Sequence, residues 1–297
     1  MATKKKTFVD EVKVLLEENK RVALHDLAIR KVDEVLSATS LEALPVNIAT
    51  TFECIEKRLQ EYESILGDLE ALIALTAYWT NGEYQLALQK VLVRLAENEQ
   101  AERSNSFWLR LRWYPFARII YIGGLAAVIG GQYKNLACLM KSRIEVDDLY
   151  GDVLAVSRLK KSFTSLYDPI QSLPQFIRHY TPVSDHFFLS LHPALDKLIV
   201  VGKQYEAFFD QFEVLIALLH SDLVKRQEAF YGRFVWKYRR LVSDSPTNSL
   251  VVLRKEAEQD GDKWPLFQAG LFGGSFDRFD KAYEVICQQI ENSNWFS

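Results

Sequence analysis

The chain is poor in the residues that mark small secreted, fibrous or disordered proteins. Its 297 residues include only 3 cysteines, 8 prolines and 13 glycines. The cysteines Cys54, Cys138 and Cys287 are far apart, odd in number and set in apolar stretches, which does not suggest a disulfide framework. The low proline and glycine content excludes collagen-like and low-complexity classes. We therefore predict an ordered globular protein in a reducing compartment, and expect a cytoplasmic location.

The sequence also lacks an excess of positive charge and a long apolar run. Lys and Arg total 36 against 39 Asp and Glu, a net charge of −3, so no chain-wide positive field attracts nucleic acid or anionic lipid. The longest apolar segment, Phe116 to Gly131, includes Arg118 and falls short of the roughly 20 residues of a membrane span. The first twenty residues begin with a basic stretch and continue with acidic residues, without the uninterrupted apolar stretch of a secretory signal peptide. We predict no membrane partner.

What the sequence does contain is helical periodicity. Apolar residues between Phe52 and Leu66 recur at intervals of three and four, which predicts a helix that ends at Gly67. A second periodic run leads to Asn81-Gly82, a dipeptide that accepts left-handed backbone and predicts a sharp turn. Similar spacing continues along the chain, so we predict an all-α protein with helix above about 60% of residues and no sheet larger than a hairpin.

One pattern recurs within the first half of the chain. The segments Ala77–Leu88 and Ala126–Ala137 align so that Gly82 matches Gly131, 49 residues later. Their small residues before a glycine turn resemble tetratricopeptide-type helical hairpins, but the offset exceeds the roughly 34-residue repeat of that family. Two interpretations remain open: an irregular stack of helical hairpins, or two unrelated hairpins with similar turns. We also expect the four-residue spacing of Gly123, Ala127 and Gly131 to form a flat stripe for close helix packing.

Proline is concentrated in the middle of the chain. Four of the 8 prolines lie between Pro169 and Pro193, a density that argues against a long helix and favours an exposed loop. We therefore predict two helical lobes, residues 1–160 and 195–297, joined by a proline-rich connector at 161–194.

Candidate catalytic and metal-binding motifs are weak. His179, His186 and His192 are seven and six residues apart, unlike the four-residue spacing of helical zinc pairs, and we expect ordinary hydrogen bonds from them. The glycine turn before Ser275 lacks the lysine of a phosphate-binding loop, so a small ligand at Gly273 to Ser275 is left open and a turn with an N-cap is expected. No nucleophile motif is present. We predict no catalytic residues, no metal site and no cofactor.

The segment from Lys225 to Arg240 interleaves six basic residues with aromatic ones and holds one acidic residue, Glu228. Such a pattern suits phosphate contacts and base stacking, but it is also typical of the surface edge of an amphipathic helix. The residues that we predict to bind a partner combine this segment with the connector: Arg226, Arg233, Trp236, Lys237, Arg240, Phe176, His179 and Tyr180.

Several long segments together resemble a known family. They are HDLAIRKVDEVL (25–36), ALTAYWTNGEYQLALQKVLVRLA (74–96), LRLRWYPFARIIYIGGLAAVIGGQYKNLACLM (109–140) and WPLFQAGLFGGSFDRFDKAYE (264–284). They look like the helical C-terminal region of large bacterial proteins that carry a sirtuin-like or nucleotide-binding effector and are associated with defence against phage. The resemblance implies a sensing or protein-binding module whose partner is an effector subunit or a phage protein. The effector segment itself has no counterpart here.

Our functional prediction is therefore a non-catalytic protein-recognition or sensor module, with bacterial anti-phage defence as the setting that the resemblance implies. The alternative is a helical protein that binds nucleic acid through residues 225–240. An enzyme of unrecognised type is the third interpretation.

Overall fold

The computed structural model describes residues 7–97, 106–145, 153–224, 230, 232–238 and 248–292. About 78% of these residues are helical, which confirms the all-α prediction. The strands in the described ranges are β1 (Arg143–Ile144) and β2 (Val153–Leu154), which pair antiparallel with Arg143 opposite Leu154. Short 3-10 turns occupy Gly202–Gln204, Gly261–Lys263 and Leu271–Gly274.

The helices follow one another with short connections. In chain order they are α1 (Phe8–Glu17), α2 (Arg21–Ala38), α3 (Phe52–Trp79), α4 (Gln85–Ala96), α5 (Phe107–Leu111), α6 (Tyr114–Ile129), α7 (Tyr133–Lys141), α8 (Ala155–Gln171), α9 (Pro182–Ile199), α10 (Tyr205–Leu223), α11 (Phe234–Tyr238), α12 (Ser249–Asp260), α13 (Pro265–Gln268) and α14 (Phe276–Asn292).

The long helix α3 packs along the almost wholly buried helix α6. Helices α1 and α2 contact α3, and α4 contacts α2 and α6. Helices α8, α9 and α10 also contact α6, and α14 packs on α10. Buried apolar side chains from Val12 to Ile290 form one cluster, to which α8 and α9 contribute. The lobe boundaries expected at residues 160 and 195 fall inside α8 and α9.

The prediction of an exposed loop over the proline-rich connector is wrong, because most of 161–194 is helical. Pro182 occupies the first turn of α9, where a missing N–H costs no hydrogen bond. Pro193 lies inside α9 but is exposed, and the carbonyl left without its usual donor belongs to Leu189, a residue on the exposed side of the helix. Water can satisfy that carbonyl, so both prolines are compatible with a continuous helix.

The two similar hairpins interlock at their turns. The buried Asn135 side chain accepts a hydrogen bond from the Gly82 N–H at 3.0 Å and donates to the Thr80 carbonyl at 2.5 Å. In return the Asn81 side chain accepts from the Lys134 N–H at 3.2 Å. The turn predicted at Gly82 is confirmed by its φ of +106°. The turn of the α3–α4 hairpin is therefore bonded directly to that of the α6–α7 hairpin.

The predicted small-residue stripe is correct in part. A Cβ at Gly123 would lie 2.8 Å from the Ile73 Cγ2 atom, and Ala127 is fully buried, so both positions sit in close contacts between helices. Gly131 does not, because it has a φ of +66° in the turn after α6 and open space around it. Gly124, one residue beyond Gly123, makes the tightest contact: a Cβ there would overlap the buried Phe212 ring.

Two helical glycines allow a matched test of this packing. Gly67 was predicted to end a helix, which is wrong: α3 continues through it, and a Cβ there meets no atom within 4 Å. We expect Gly67→Ala to raise the free energy of unfolding by about 0.5 to 1 kcal/mol because alanine restricts the unfolded backbone. Gly124→Ala should lower it by about 1 to 3 kcal/mol through overpacking. Urea unfolding of both variants measures the difference, and equal effects would contradict the α6–α10 contact.

Candidate functional site

Two of the basic residues predicted to contact phosphate, Arg233 and Lys237, pair with carboxylates within the protein. The Arg233 guanidinium lies over the Phe188 ring, 3.5 Å from its centroid, with an Nη2 atom 3.3 Å from the Glu206 carboxylate. The Lys237 Nζ atom is 2.9 Å from Glu206 and also contacts Asp210. Both cations are mostly buried, so they are poorly placed to neutralise nucleic acid phosphates.

Of the other residues predicted in this segment, the structure describes Trp236. The Trp236 ring is partly buried, with its centroid 6.0 Å from the Arg233 guanidinium. Arg226 and Arg240 lie outside the described residues.

Of the candidate residues in the connector, Phe176 lines a cavity. Phe176 is buried, and its ring meets the rings of His179 and His186 edge-on, at centroid distances of 5.3 and 5.9 Å. The exposed His179 ring places its Nδ1 atom 2.9 Å from the Asp185 carboxylate. Tyr180 is 48% exposed. Phe176 therefore lines the cavity, and partner binding by these three residues stays a prediction.

This cavity, which we call the α3–α9 cavity, has a volume of about 250 Å³. It lies between α3, α9 and the turn that follows α8, and it combines an apolar wall with polar groups. Its lining residues are Glu56, Leu59, Gln60 and Glu63 of α3, Leu173, Gln175 and Phe176 of the turn, and His186, Leu189 and Ser190 of α9.

A buried ion pair underlies the cavity. Arg118 of α6 places its Nε atom 2.5 Å from the Glu70 Oε1 atom and its Nη2 atom 3.4 Å from Oε2. Burial raises the pKa of Glu70 above its ordinary value, although Arg118 opposes this. Burial also works against the charge on Arg118, but the neighbouring Tyr114, Glu70 and Glu63 raise its pKa. The charged pair is thus stabilised inside the helical core by mutual contact.

The second η nitrogen of Arg118 connects this pair to the cavity wall. Its Nη1 atom donates to the Ser190 hydroxyl at 2.8 Å, to the Tyr114 hydroxyl at 3.1 Å and to the Glu63 Oε1 atom at 3.1 Å. Tyr114 in turn donates to Glu63 Oε1 at 2.7 Å. One arginine therefore positions groups from α3, α6 and α9 at the same point.

His186 completes the network as a neutral side chain. Its Nε2 atom is 2.8 Å from the Tyr114 hydroxyl, and because the tyrosine proton goes to Glu63, His186 acts as the donor. Burial, helped by the positive charge of Arg118, lowers the pKa of His186 to about 3, so the ring is uncharged at neutral pH. Within the described part of the chain Ser190 bonds to Arg118 and not to His186, an arrangement that does not activate the serine hydroxyl for nucleophilic attack.

A second buried network lies deeper in the core. The fully buried Glu213 of α10 accepts hydrogen bonds from the Tyr121 hydroxyl at 2.9 Å, from the Ser184 hydroxyl at 2.5 Å and from the Arg233 N–H at 2.9 Å. Burial raises the pKa of Glu213 to about 8, although the two hydroxyl donors lower it. This carboxyl attaches the segment at Arg233 to α6, α9 and α10.

His192 and the glycine turn before Ser275 make packing contacts within the protein. His192 stacks on Tyr205 with ring centroids 4.2 Å apart, and no group of three metal-ligating side chains occurs among the described residues. In the glycine turn the Arg278 side chain lies against Gly273 and bonds the Asp222 carboxylate at 2.8 Å. Left-handed backbone from Phe272 to Gly274 makes this a tight turn before α14, which begins at Phe276.

Sequence reasoning missed the residues at the centre of the site, Glu63, Glu70 and Arg118. A usable signal was present for two of them. Arg118 lies within an otherwise apolar segment, and Glu70 is enclosed by Leu69 and Ala71 in the apolar half of α3. Charged residues are almost never fully buried unless they are paired. An isolated cation and an isolated carboxylate in two apolar helices therefore indicate a buried pair.

No protein-family model, curated protein or solved structure matches this chain. Among the residues that the structure describes, none of the helices combines the length and the hydrophobicity that a bilayer crossing needs.

Proposed function

We propose that this chain is a non-catalytic protein-recognition or sensor module that binds its partner at the α3–α9 cavity and the apolar residues near it. The observation that carries the proposal is the concentration of exposed apolar side chains in the segment that forms one side of the cavity. Ile177 is 59% exposed, Tyr180 48% and Leu189 61%. Exposed apolar and aromatic residues around a pocket are typical of interaction sites.

The buried network supports this proposal because it makes the surface rigid. Arg118 bonds to Ser190 of α9 and to Glu63 of α3, so the two helices that form the cavity are held at a fixed separation. A preorganised surface loses little conformational entropy when a partner binds. The partner candidates are those that the family resemblance supplied, an effector subunit or a phage protein.

The alternative function, nucleic acid binding through 225–240, has less support. Arg233 and Lys237 already pair with Glu206, and the Arg233 guanidinium covers the Phe188 ring. Rearrangement of these contacts would have to precede any phosphate contact by these two side chains.

Selection of random peptides displayed on yeast tests the proposal. We expect enriched peptides to bind the wild-type protein and to lose about tenfold in affinity when Ile177 or Leu189 is replaced by serine, because apolar anchors contribute most of the energy of such interfaces. Leu86→Ser is the matched control, since Leu86 is 76% exposed on α4.

Two results would contradict the proposal. One is that no selected peptide binds the Leu189→Ser variant more weakly than the Leu86→Ser variant. The other is binding of a mixed-sequence single-stranded oligonucleotide tighter than about micromolar at physiological salt, with a steep salt dependence, which would favour the nucleic acid alternative.

A further inference from the structure

The charges around the α3–α9 cavity do not balance. Glu63 and Glu70 share a single cation, Arg118, and the neutral His186 adds no positive charge. Glu70 contacts both the Nε and the Nη2 atoms of Arg118, whereas Glu63 is contacted by Nη1 alone. Most of the positive charge is therefore compensated by Glu70, and Glu63 retains a net negative charge.

Glu63 is also the carboxylate that a ligand can reach. Its side chain is 30% exposed and lines the cavity, while the side chains of Glu70 and Arg118 are 5% and 3% exposed. All the hydrogen bonds to Glu63 from described residues end at its Oε1 atom, which leaves Oε2 available.

The remaining walls suit a ligand with an apolar stem. Leu59, Leu173, Phe176 and Leu189 provide the apolar surface. Glu56, two helical turns before Glu63 on α3, adds a second carboxylate. Among the described residues that line the cavity, none is a lysine or an arginine. Long basic side chains have this combination of a hydrocarbon stem and a cationic end.

We propose that the α3–α9 cavity binds a lysine or arginine side chain of the protein partner, with the cationic end at Glu63 and the hydrocarbon stem against Phe176 and Leu189. Removal of water from the cavity strengthens the attraction between the partner's cation and Glu63. An arginine can in addition form two charge-assisted hydrogen bonds to the carboxylate. This inference rests on the proposed function, because it names the chemistry that the recognition surface selects.

A titration with small probes tests the inference directly. n-Butylguanidinium reproduces the end of an arginine side chain, and N-butylurea is its uncharged counterpart. We expect n-butylguanidinium to shift the NMR methyl signals of Leu59 and Leu189 in a saturable way, with a dissociation constant on the order of millimolar, and N-butylurea to cause no saturable shift. Glu63→Gln should weaken the binding by about tenfold or more, because it removes the charge and keeps the side-chain size.

Glu61→Gln serves as the matched control on the same helix. Glu61 contacts Arg58 and does not line the cavity, so its replacement should leave the titration unchanged. Equal binding of the two probes, absence of saturable binding, or binding that survives Glu63→Gln would each overturn the inference.

The peptide selection separates this inference from the function on which it rests. If the inference is correct, the enriched peptides share a basic residue. Replacement of that residue by norleucine then weakens binding to the wild-type protein more than it weakens binding to the Glu63→Gln variant. Peptides whose binding depends on Leu189 but that contain no lysine or arginine would support the proposed function. They would refute the proposal that a basic side chain occupies the cavity.

Discussion

Replacement of Arg118 by methionine is expected to lower the free energy of unfolding by about 3 to 5 kcal/mol at neutral pH. Methionine can occupy the volume of the apolar part of the arginine, but it leaves the buried Glu70 without its cation. It also removes the hydrogen bonds that Arg118 donates to Glu63 and Ser190. An unpaired carboxylate in an apolar interior is strongly unfavourable, so the loss comes mainly from the charge that remains. Guanidinium chloride unfolding with linear extrapolation measures this loss.

The pH dependence of this variant identifies the cause. Burial already raises the pKa of Glu70 in the wild-type protein, and loss of Arg118 should raise it further. A carboxyl that binds its proton more tightly when folded stabilises the protein at low pH and loses that contribution as the pH rises. The deficit of Arg118→Met should therefore shrink as the pH is lowered through the acid range.

Arg94→Met is the control for the general effect of losing an arginine. Arg94 pairs with Asp33 and Glu97 at the surface, where all three side chains are at least 36% exposed. Exposed pairs contribute roughly 0.2 to 1 kcal/mol, so this variant should remain close to the wild type. A similar loss in both variants would show that the buried pair contributes no more than a surface one.

The wild-type protein is expected to lose stability as the pH rises from about 5 to about 9, and Glu213→Gln is expected to abolish most of this loss. Burial raises the pKa of Glu213 to about 8. The folded protein therefore holds this proton over a range in which the unfolded chain has released it. The resulting stability is complete below the ordinary value near 4.5 and disappears as the pH rises through 8, a change on the order of 3 to 5 kcal/mol.

Glutamine reproduces the protonated form of this side chain. Its amide can donate to the Ser184 and Tyr121 hydroxyl oxygens, and its carbonyl can accept from the Arg233 N–H, as one carboxylate oxygen does in the wild type. Thermal unfolding followed by circular dichroism across this pH range compares the two proteins. Glu206→Gln on the same helix should keep the alkaline loss, because contact with Lys237 lowers the pKa of Glu206. An unchanged profile in Glu213→Gln would show that this carboxyl is ionised throughout.

The sequence predicted the helices well because burial of apolar residues at intervals of three and four is a local pattern. The glycine turn at Gly82 was predicted for the same reason: its backbone preference does not depend on distant contacts. The errors at Gly67 and Pro193 have the opposite cause. Packing of α3 on α6, and solvent beside the exposed Pro193, allow these residues within helices that local rules would interrupt.

The site was harder to predict because its residues are distant in sequence. A single short segment of the chain holds Phe176, which lines the cavity, together with His179 and Tyr180. Glu63 and Arg118 meet only after α3 and α6 pack, and α3 carries no pattern that singles out Glu63 among its exposed-side carboxylates as a partner of Arg118. Sequence can show that a cation in an apolar helix needs a partner, but the fold determines which carboxylate provides it.

The crossed bonds between the two hairpin turns limit how this protein can change its length during evolution. Stacked repeat proteins gain or lose units readily because each unit contacts its neighbours in the same way. Here the Asn135 amide bonds to the Gly82 turn, and the Asn81 side chain bonds back to Lys134. Deletion of the α3–α4 hairpin would remove the hydrogen-bond partners of the buried Asn135 amide, and deletion of the α6–α7 hairpin would remove those of the Gly82 turn. The pair should therefore be inherited, duplicated or lost only as a whole.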